Sequence, residues 1–160
     1  MSVKGELSSP LLMLPLVSRQ AEKLFSQQTD GAGPTPREYA VLDAVARADG
    51  LNQTAIMTAT GLDRSSTADV VRRMVDDGLL RRRRTKRDIR QYAVRLTSLG
   101  EEKLYAGQAA AQAAEKDLLA RLTRPEKEAF IATLHSLLET ERADPKQEKR
   151  TPRAAAGRRK

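Results

Sequence analysis

Apolar positions recur along most of the chain at intervals of three and four residues, which is the spacing of one face of an α-helix. This pattern predicts six helices and no internal repeat. A short segment with period-two alternation, 92–96, predicts a β-strand instead. The first helix contains Pro15, which is expected to kink or restart it. The predicted helices cover roughly residues 10–28, 36–48, 53–60, 64–77, 98–121 and 124–142.

The ends of these helices carry capping residues. Thr35 and Glu38 form the capping box of one helix. Asn52 and Asp63 have the short polar side chains that cap the two helices after it, and Gly61 ends the first of that pair. Two short helices joined by a tight turn with glycine are the signature of a helix-turn-helix. Any helical protein can contain such a pair of helices, so the interpretation depends on the segment that follows.

Residues 79–96 have the pattern of a β-hairpin with a basic tip. Leu79 and Leu80 lead into four consecutive arginines, a polar tip lies around 85–90, and the alternating strand returns. A helix-turn-helix that is followed directly by such a hairpin is a winged helix. The predicted fold class is mainly α with a small β-hairpin wing (α+β), flanked by long helices.

The positive charge of the chain is concentrated in two places. The net charge is +8 over 160 residues, but residues 81–90 hold +6 and residues 143–160 hold +5, so the rest carries −3. Such a patch suits a polyanion, which is DNA, RNA or an anionic membrane surface, whereas a merely solvated charge run is the alternative. Consecutive arginines in short strands repel one another and gain nothing from packing, which favours DNA at the hairpin. Candidate DNA contacts there are Arg83, Arg84, Lys86, Arg87, Asp88 and Arg90.

The reactive chemistry available in the chain is narrow. It has no cysteine and one histidine, His135, which excludes disulfides and cysteine-ligated zinc and leaves little for a metal site. No candidate nucleophile has a base partner, and no glycine-rich phosphate loop is present. We therefore expect no enzyme activity, no cofactor and no metal, and a packing or interface role for His135.

The chain also lacks membrane signals. No segment has the eighteen or so uninterrupted apolar residues of a membrane span, and the N-terminus lacks the pattern of a signal peptide. We expect a cytoplasmic protein with no membrane partner. Residues 143–160 are polar, basic and free of aromatic residues, which predicts a disordered tail.

The helix predicted over 64–77 is amphipathic. At 100° per residue, Ser65, Asp69 and Arg72 lie on one arc, and valine and methionine side chains occupy the opposite arc. The polar arc is expected to face the major groove, where serine hydroxyls and free backbone amides bind phosphate and arginine pairs with guanine. A solvent-facing arc, with ion pairs from Asp69 to Arg72 and Arg73, is the alternative. Candidate DNA contacts on this helix are Arg64, Ser65, Ser66, Thr67, Asp69, Arg72 and Arg73.

Four motifs follow one another along the winged-helix region: Gly61-Leu62-Asp63-Arg64-Ser65-Ser66-Thr67, Asp77-Gly78-Leu79-Leu80-Arg81-Arg82, Asp88-Ile89-Arg90 and Leu96-Thr97-Ser98-Leu99-Gly100. Together they resemble the MarR family of bacterial transcriptional regulators, and the resemblance extends over about residues 10–142. The family often has Asp-Pro where Thr85 and Lys86 stand, and a second arginine where Ile89 stands. These differences concern the tip of the wing only.

The resemblance implies a homodimer with two-fold symmetry that binds a pseudo-palindromic DNA operator, with Arg90 in the minor groove. In many members a phenolic or other small ligand enters a cleft between the dimer domain and the winged helix, and DNA is released. A surplus of leucine in the terminal helices supports the dimer independently. The expected organisation is a dimerisation helix and loop at 1–34, a winged helix-turn-helix at 35–97, C-terminal dimerisation helices at 98–142 and the basic tail at 143–160.

These expectations lead to one hypothesis with an alternative. The hypothesis is a sequence-specific transcriptional regulator, a repressor released by an aromatic carboxylate or its coenzyme A thioester. The alternative is a ligand-independent DNA-binding or architectural protein, which the basic tail favours. For the ligand site, core packing of the apolar residues and solvation of the arginines is the competing interpretation. Candidate ligand-binding residues are Met13, Val17, Arg19, Arg37, Tyr39, Leu42 and Met57.

Overall fold

A computed structural model describes residues 9–48, 50–84 and 92–142, with the backbone alone at residue 84 and at residues 140–142. The predicted tail and most of the hairpin tip, including Lys86, Arg87, Asp88 and Arg90, lie outside the described residues. The described chain has six helices and a two-stranded hairpin, which confirms the predicted fold class. It divides into two compact units between Leu118 and Leu119.

Two long helices of the first unit pack along each other. Helix α1 spans Pro10–Gln28 and helix α5 spans Ser98–Leu118. Pro10 opens α1 at a position where no backbone N–H is needed. Pro15 lies inside α1 and does not divide it, so the predicted restart is wrong. Helix α5 ends at Leu118, before the predicted boundary at residue 121.

Three short helices with side-chain caps form the helical part of the winged helix, and the last two are the helix-turn-helix. Helix α2 spans Pro36–Ala46, α3 spans Gln53–Thr60 and α4 spans Arg64–Asp76. The capping box at the start of α2 forms as predicted, although α2 ends before the predicted boundary at residue 48. Gly61 takes the left-handed conformation, with φ of 68°, and so allows the sharp turn between α3 and α4.

The hairpin pairs strand β1, Leu80–Arg84, with strand β2, Tyr92–Leu96, in antiparallel register. Leu80 lies opposite Leu96, and Arg82 lies opposite Val94. A short bridge joins Leu51 to Val94 through two backbone hydrogen bonds of 3.3 and 2.8 Å. The hairpin is therefore fastened to the segment just before α3.

One apolar core holds the winged helix together. Helices α2, α3 and α4, both strands and α5 contribute side chains to it, which fixes α4 relative to the hairpin. A second, smaller cluster places Phe25 of α1 against Ala110 and Ala114 of α5. The buried side chains of the main core are Val41, Leu42, Val45, Ile56, Val70, Val71, Met74, Leu79, Leu80, Val94 and Leu104.

The second unit contains helix α6, Arg124–Arg142. At the start of this helix, Glu126 accepts hydrogen bonds of 2.7 Å from both the backbone N–H and the hydroxyl of Thr123. Ile131, Leu137 and Leu138 are exposed on this helix.

Candidate nucleic-acid interface

The outward face of α4 is polar because its valine and methionine side chains are buried in the core. Ser65, Asp69, Arg72 and Arg73 are exposed, as the amphipathic pattern predicts. Thr67 is different. Its side chain is fully buried, and its hydroxyl donates a hydrogen bond of 2.8 Å to the carbonyl oxygen of Asp63. The structure therefore places Thr67 among the core residues and not on the exposed face with the other candidates.

The N-terminus of α4 is closed by a hydrogen-bond cluster around Asp63. The hydroxyls of Ser65 and Ser66 each donate to the Asp63 carboxylate at 2.6 Å, and the backbone N–H of Ser66 donates at 2.9 Å. The hydroxyl of Ser65, then that of Ser66, hold the pKa of the Asp63 carboxyl well below its usual range. Both serine hydroxyls therefore donate to Asp63 in the structure, whereas the sequence predicts that they bind a DNA phosphate.

Asp69 and Arg72 form an ion pair on the exposed face of α4. The Arg72 Nη2 atom lies 3.1 Å from the Asp69 Oδ1 atom, with both side chains well exposed. The helix spacing of three residues makes this pair possible, as predicted. The ion pair fixes the direction of the Arg72 guanidinium group, and DNA can still reach its other N–H groups.

Strand β1 carries three exposed arginines at described positions, Arg81, Arg82 and Arg83. Because side chains alternate along a strand, Arg82 shares its face with Leu80, while Arg81 and Arg83 lie on the other face. Only the backbone of Arg84 is described.

A cavity of about 570 Å³ lies where α3, α4 and the hairpin meet. Arg64 of α4 and Arg82 of β1 both line it, together with Gln53, Tyr92 and Val94. Within the described part of the chain, neither arginine has an ion pair or a side-chain hydrogen bond. Two cationic residues therefore share one polar cavity beside α4. Arg82, Tyr92 and Gln53 were not among the residues predicted from sequence, although the position of Arg82 in a run of arginines before a predicted strand was a usable signal.

The predicted ligand residues lie in three different environments. Leu42 is fully buried in the core, so it is not available as the wall of an open cleft. Tyr39 and Met57 are half-buried. The remaining four residues, Met13, Val17, Arg19 and Arg37, are more open to solvent.

Tyr39 connects the helix-turn-helix to the long helices. Its ring lies 5.3 Å from the ring of Phe25 in α1, and it packs against both apolar clusters. Burial raises the pKa of its hydroxyl, and the carboxylates of Asp43 and Glu115 raise it further. The phenol is therefore a neutral hydrogen-bonding group at ordinary pH.

The described residues contain neither a cluster of metal ligands nor a membrane-spanning helix. No group of three or more histidine, cysteine, aspartate and glutamate side chains there is placed to hold a metal ion. None of the described helices is long and apolar enough to cross a membrane.

Comparison with known proteins assigns the family. The MarR family pattern matches residues 32–91. The transcriptional regulator HosA of Escherichia coli is 30% identical over 126 residues, which are 76% of this chain and 93% of HosA. The chain belongs to the MarR family. A second relative, a putative transcriptional regulatory protein for the hcr operon of Thauera aromatica, is 33% identical over 109 residues, 68% of this chain and 66% of that protein.

Solved structures agree with this MarR-family assignment. The PcaV regulator of Streptomyces coelicolor, in complex with its natural ligand, has a TM-score of 0.77 and 26% identity, covering 88% of this chain and 99% of PcaV. The transcriptional repressor CouR, bound to a 23-mer DNA duplex, has a TM-score of 0.76 and 25% identity, covering 86% of this chain and 98% of CouR. The protein is a MarR-family transcriptional regulator with a DNA-binding winged helix.

Proposed function

We propose that this MarR-family regulator is a cytoplasmic homodimeric repressor that binds a pseudo-palindromic operator through α4 and the hairpin. The observation that carries the proposal is the shared cavity, because Arg64 of α4 and Arg82 of β1 both line it. Two cations beside one cavity suit the phosphate backbone next to a major groove that α4 enters. The DNA-bound structure of CouR, a neighbour at 25% identity, supports this use of the fold.

The dimer is supported by the surface of α1. A run of apolar side chains on this helix is exposed in a single chain, which is costly in water. Burial between two copies would remove that cost, and two-fold symmetry would present two α4 helices to successive half-sites. We assign α1 and residues 98–142 to dimerisation and residues 35–97 to DNA binding. The exposed apolar residues of α1 are Leu11, Leu12, Met13, Leu14, Leu16 and Val17.

Release by a small acidic ligand is the second part of the proposal. PcaV, at 26% identity, has been solved with its natural ligand, which supports a ligand site in this fold. An aromatic carboxylate or its coenzyme A thioester has two candidate locations here. One is the region of Tyr39 with Arg19 and Arg37, and the other is the cavity with Arg64 and Arg82.

Operator binding is tested with a duplex selected by the full-length protein from random DNA. We expect Arg72→Ala to lower affinity by about 1–3 kcal/mol at the selected site, as for an arginine that binds a base. Arg82→Ala should weaken binding to all sequences and reduce the salt slope by about one unit for each phosphate that the arginine neutralises. Arg124→Ala, which removes an exposed arginine from α6, is the charge-matched control. Unchanged affinity in both test variants would remove α4 and the hairpin from the interface.

Ligand release is tested by titrating benzoate, cinnamate and their coenzyme A thioesters against free and operator-bound protein. Linkage requires that the operator weaken ligand binding by the factor by which the ligand weakens operator binding. Loss of ligand affinity in Arg37→Ala would favour the Tyr39 region, and loss in Arg82→Ala would favour the cavity. Equal affinity in the two states, or no binding at all, would leave the ligand-independent DNA-binding protein as the function.

A further inference from the structure

We propose that Asp63 sets the base preference of α4 by taking up the hydroxyl protons of Ser65 and Ser66, so that Ser65 meets DNA only as a hydrogen-bond acceptor. Ser65 then selects bases that carry an amino group in the major groove. This inference rests on the proposed function, because it assumes that α4 enters the major groove of an operator.

The hydrogen bonds at the N-terminus of α4 determine where the protons go. An ionised carboxylate has no proton to give, so the two distances of 2.6 Å require both serine hydroxyls to donate to Asp63. The buried Thr67 hydroxyl donates to the carbonyl oxygen of the same residue at 2.8 Å. All three hydroxyls in the first turn of α4 therefore use their protons inside the protein.

A hydroxyl has one proton and two lone pairs, so a serine that donates to Asp63 still accepts. Ser65 is exposed on the same arc as Asp69 and Arg72, while Ser66 is less open to solvent. Ser65 therefore offers its lone pairs to whatever lies against the polar face of α4. It is the one of the two serines that is placed to contact a base.

The chemistry of DNA makes this restriction selective. Phosphate oxygens only accept hydrogen bonds, and so do N7 and O6 of guanine and O4 of thymine in the major groove. The amino groups of adenine and cytosine are the donors there. A serine without a free proton therefore gains nothing from phosphate, guanine or thymine and gains a hydrogen bond from adenine or cytosine.

Asp63 is a positioning residue in this scheme, and Ser65 makes the contact. The substitution Asp63→Asn separates the two roles. The side-chain carbonyl oxygen of the asparagine can still accept from the Ser66 amide, since asparagine and aspartate are equally good N-caps. Its amide group, however, donates hydrogen bonds, which releases a serine proton for DNA.

The first experiment measures single amino groups. In the selected operator duplex, each adenine is replaced in turn by purine, and each cytosine by 2-pyrimidinone, which lack the amino group. We expect one position in each half-site at which the full-length protein loses about three- to tenfold in affinity, the value of one net hydrogen bond. Ser65→Ala should lose the same factor on the natural duplex and show no further loss with the altered base. Parent and Ser65→Ala on the natural and the altered duplex form a double-mutant cycle, which cancels the effect of the altered base on duplex stability.

The second experiment repeats the selection with Asp63→Asn. We expect guanine or thymine to become accepted at the position assigned to Ser65, with the rest of the site unchanged. Asp77→Asn makes the same change of charge just after the last residue of α4 and should leave that position unchanged. If Asp63→Asn fails to fold, the cycle with Ser65→Ala decides alone.

Two results would overturn the inference while leaving operator binding intact. One is equal sensitivity of the parent and Ser65→Ala to every missing amino group. The other is a phosphate whose replacement by a neutral methylphosphonate weakens binding of the parent but not of Ser65→Ala, which would show that the hydroxyl donates to that phosphate. If the parent protein selects no sequence, the proposed function has failed instead.

Discussion

At the scale of single residues, Asp63 combines several roles at the start of α4. One carboxylate caps α4, orients two serines and lies beside the surface that we assign to DNA. The sequence predicts the cap, because an N-cap depends on residues that are neighbours in the chain. It does not predict the orientation of the serine protons, because Ser65 and Ser66 have two plausible partners and only the geometry chooses between them.

The lowered pKa of Asp63 leads to a prediction about acid stability. A carboxyl whose pKa falls on folding stabilises the protein above its unfolded pKa, about 3.9, and this contribution is lost as the pH falls toward the folded pKa. Asp63→Asn should therefore be less stable than the parent at pH 7. The difference in the free energy of unfolding should shrink steadily from about pH 5 downward. Urea denaturation at several pH values measures it, and a difference that is independent of pH would contradict the prediction.

A second prediction concerns Thr97, which joins the end of β2 to the start of α5. Its hydroxyl donates to the carbonyl of Gly78 at 2.6 Å and accepts from the backbone N–H of Gly100 at 3.1 Å. Thr97→Val keeps the shape of the side chain and removes every hydrogen bond of the hydroxyl, including a longer one of 3.2 Å to the carbonyl of Leu79, so we expect a loss of about 1–2 kcal/mol in stability. Thr97→Ser keeps the hydroxyl and is the control. Equal unfolding temperatures for the two variants would refute the role of the hydroxyl.

At the scale of elements, the close packing of α5 against the start of α2 depends on Gly107. A Cβ atom at this position would lie 2.5 Å from Tyr39 Cδ2 and 2.9 Å from Pro34 Cγ. From sequence alone, Gly107 is only a local weakness of the helix, because nothing in the chain near residue 107 reveals the ring of Tyr39. The glycine is needed for a contact between segments that are distant in sequence.

This contact predicts the sign of the change in stability that Gly107→Ala causes. Helix propensity alone would make Gly107→Ala stabilising by about 0.5–1 kcal/mol. The collision with Tyr39 should instead make it destabilising by about 1–3 kcal/mol, as for other overpacked sites. Denaturant unfolding measures the change. The same substitution in a Tyr39→Ala background should cost less, and an unchanged cost would show that the ring is not the cause.

The helices and caps could be predicted from sequence, and the site only in part. Caps such as Thr35 with Glu38 are local, so their residues identify them directly. Thr67 and Leu42 are candidate contact residues from sequence but are buried in the structure, because a polar or apolar side chain does not reveal which neighbour covers it. The role of Arg82 cannot be predicted from sequence, because the cavity that it lines forms only where α3, α4 and the hairpin meet in the fold.

At the scale of the whole molecule, the exposed apolar surface of α1 predicts how stability depends on concentration. If two copies bury this surface, the unfolding temperature should rise with protein concentration, since dimerisation stabilises the folded state by mass action. Leu16→Glu should lower the dimer fraction in sedimentation, whereas Lys23→Glu, a change at a polar position of α1, should not. A parent protein that is monomeric at all accessible concentrations would contradict the proposed dimer.

The bridge between Leu51 and Val94 has a mechanical consequence. It couples the entry to α3 with the middle of β2 through two backbone hydrogen bonds, and both residues pack in or against the main core. Because the bridge and the shared core hold the hairpin against the helices, we expect a rearrangement that frees DNA to move the hairpin and α4 together. In hydrogen–deuterium exchange, the amides of Leu51 and Val94 should open together with the core of α4. If the proposed ligand acts in this way, it should leave the protection of these amides unchanged.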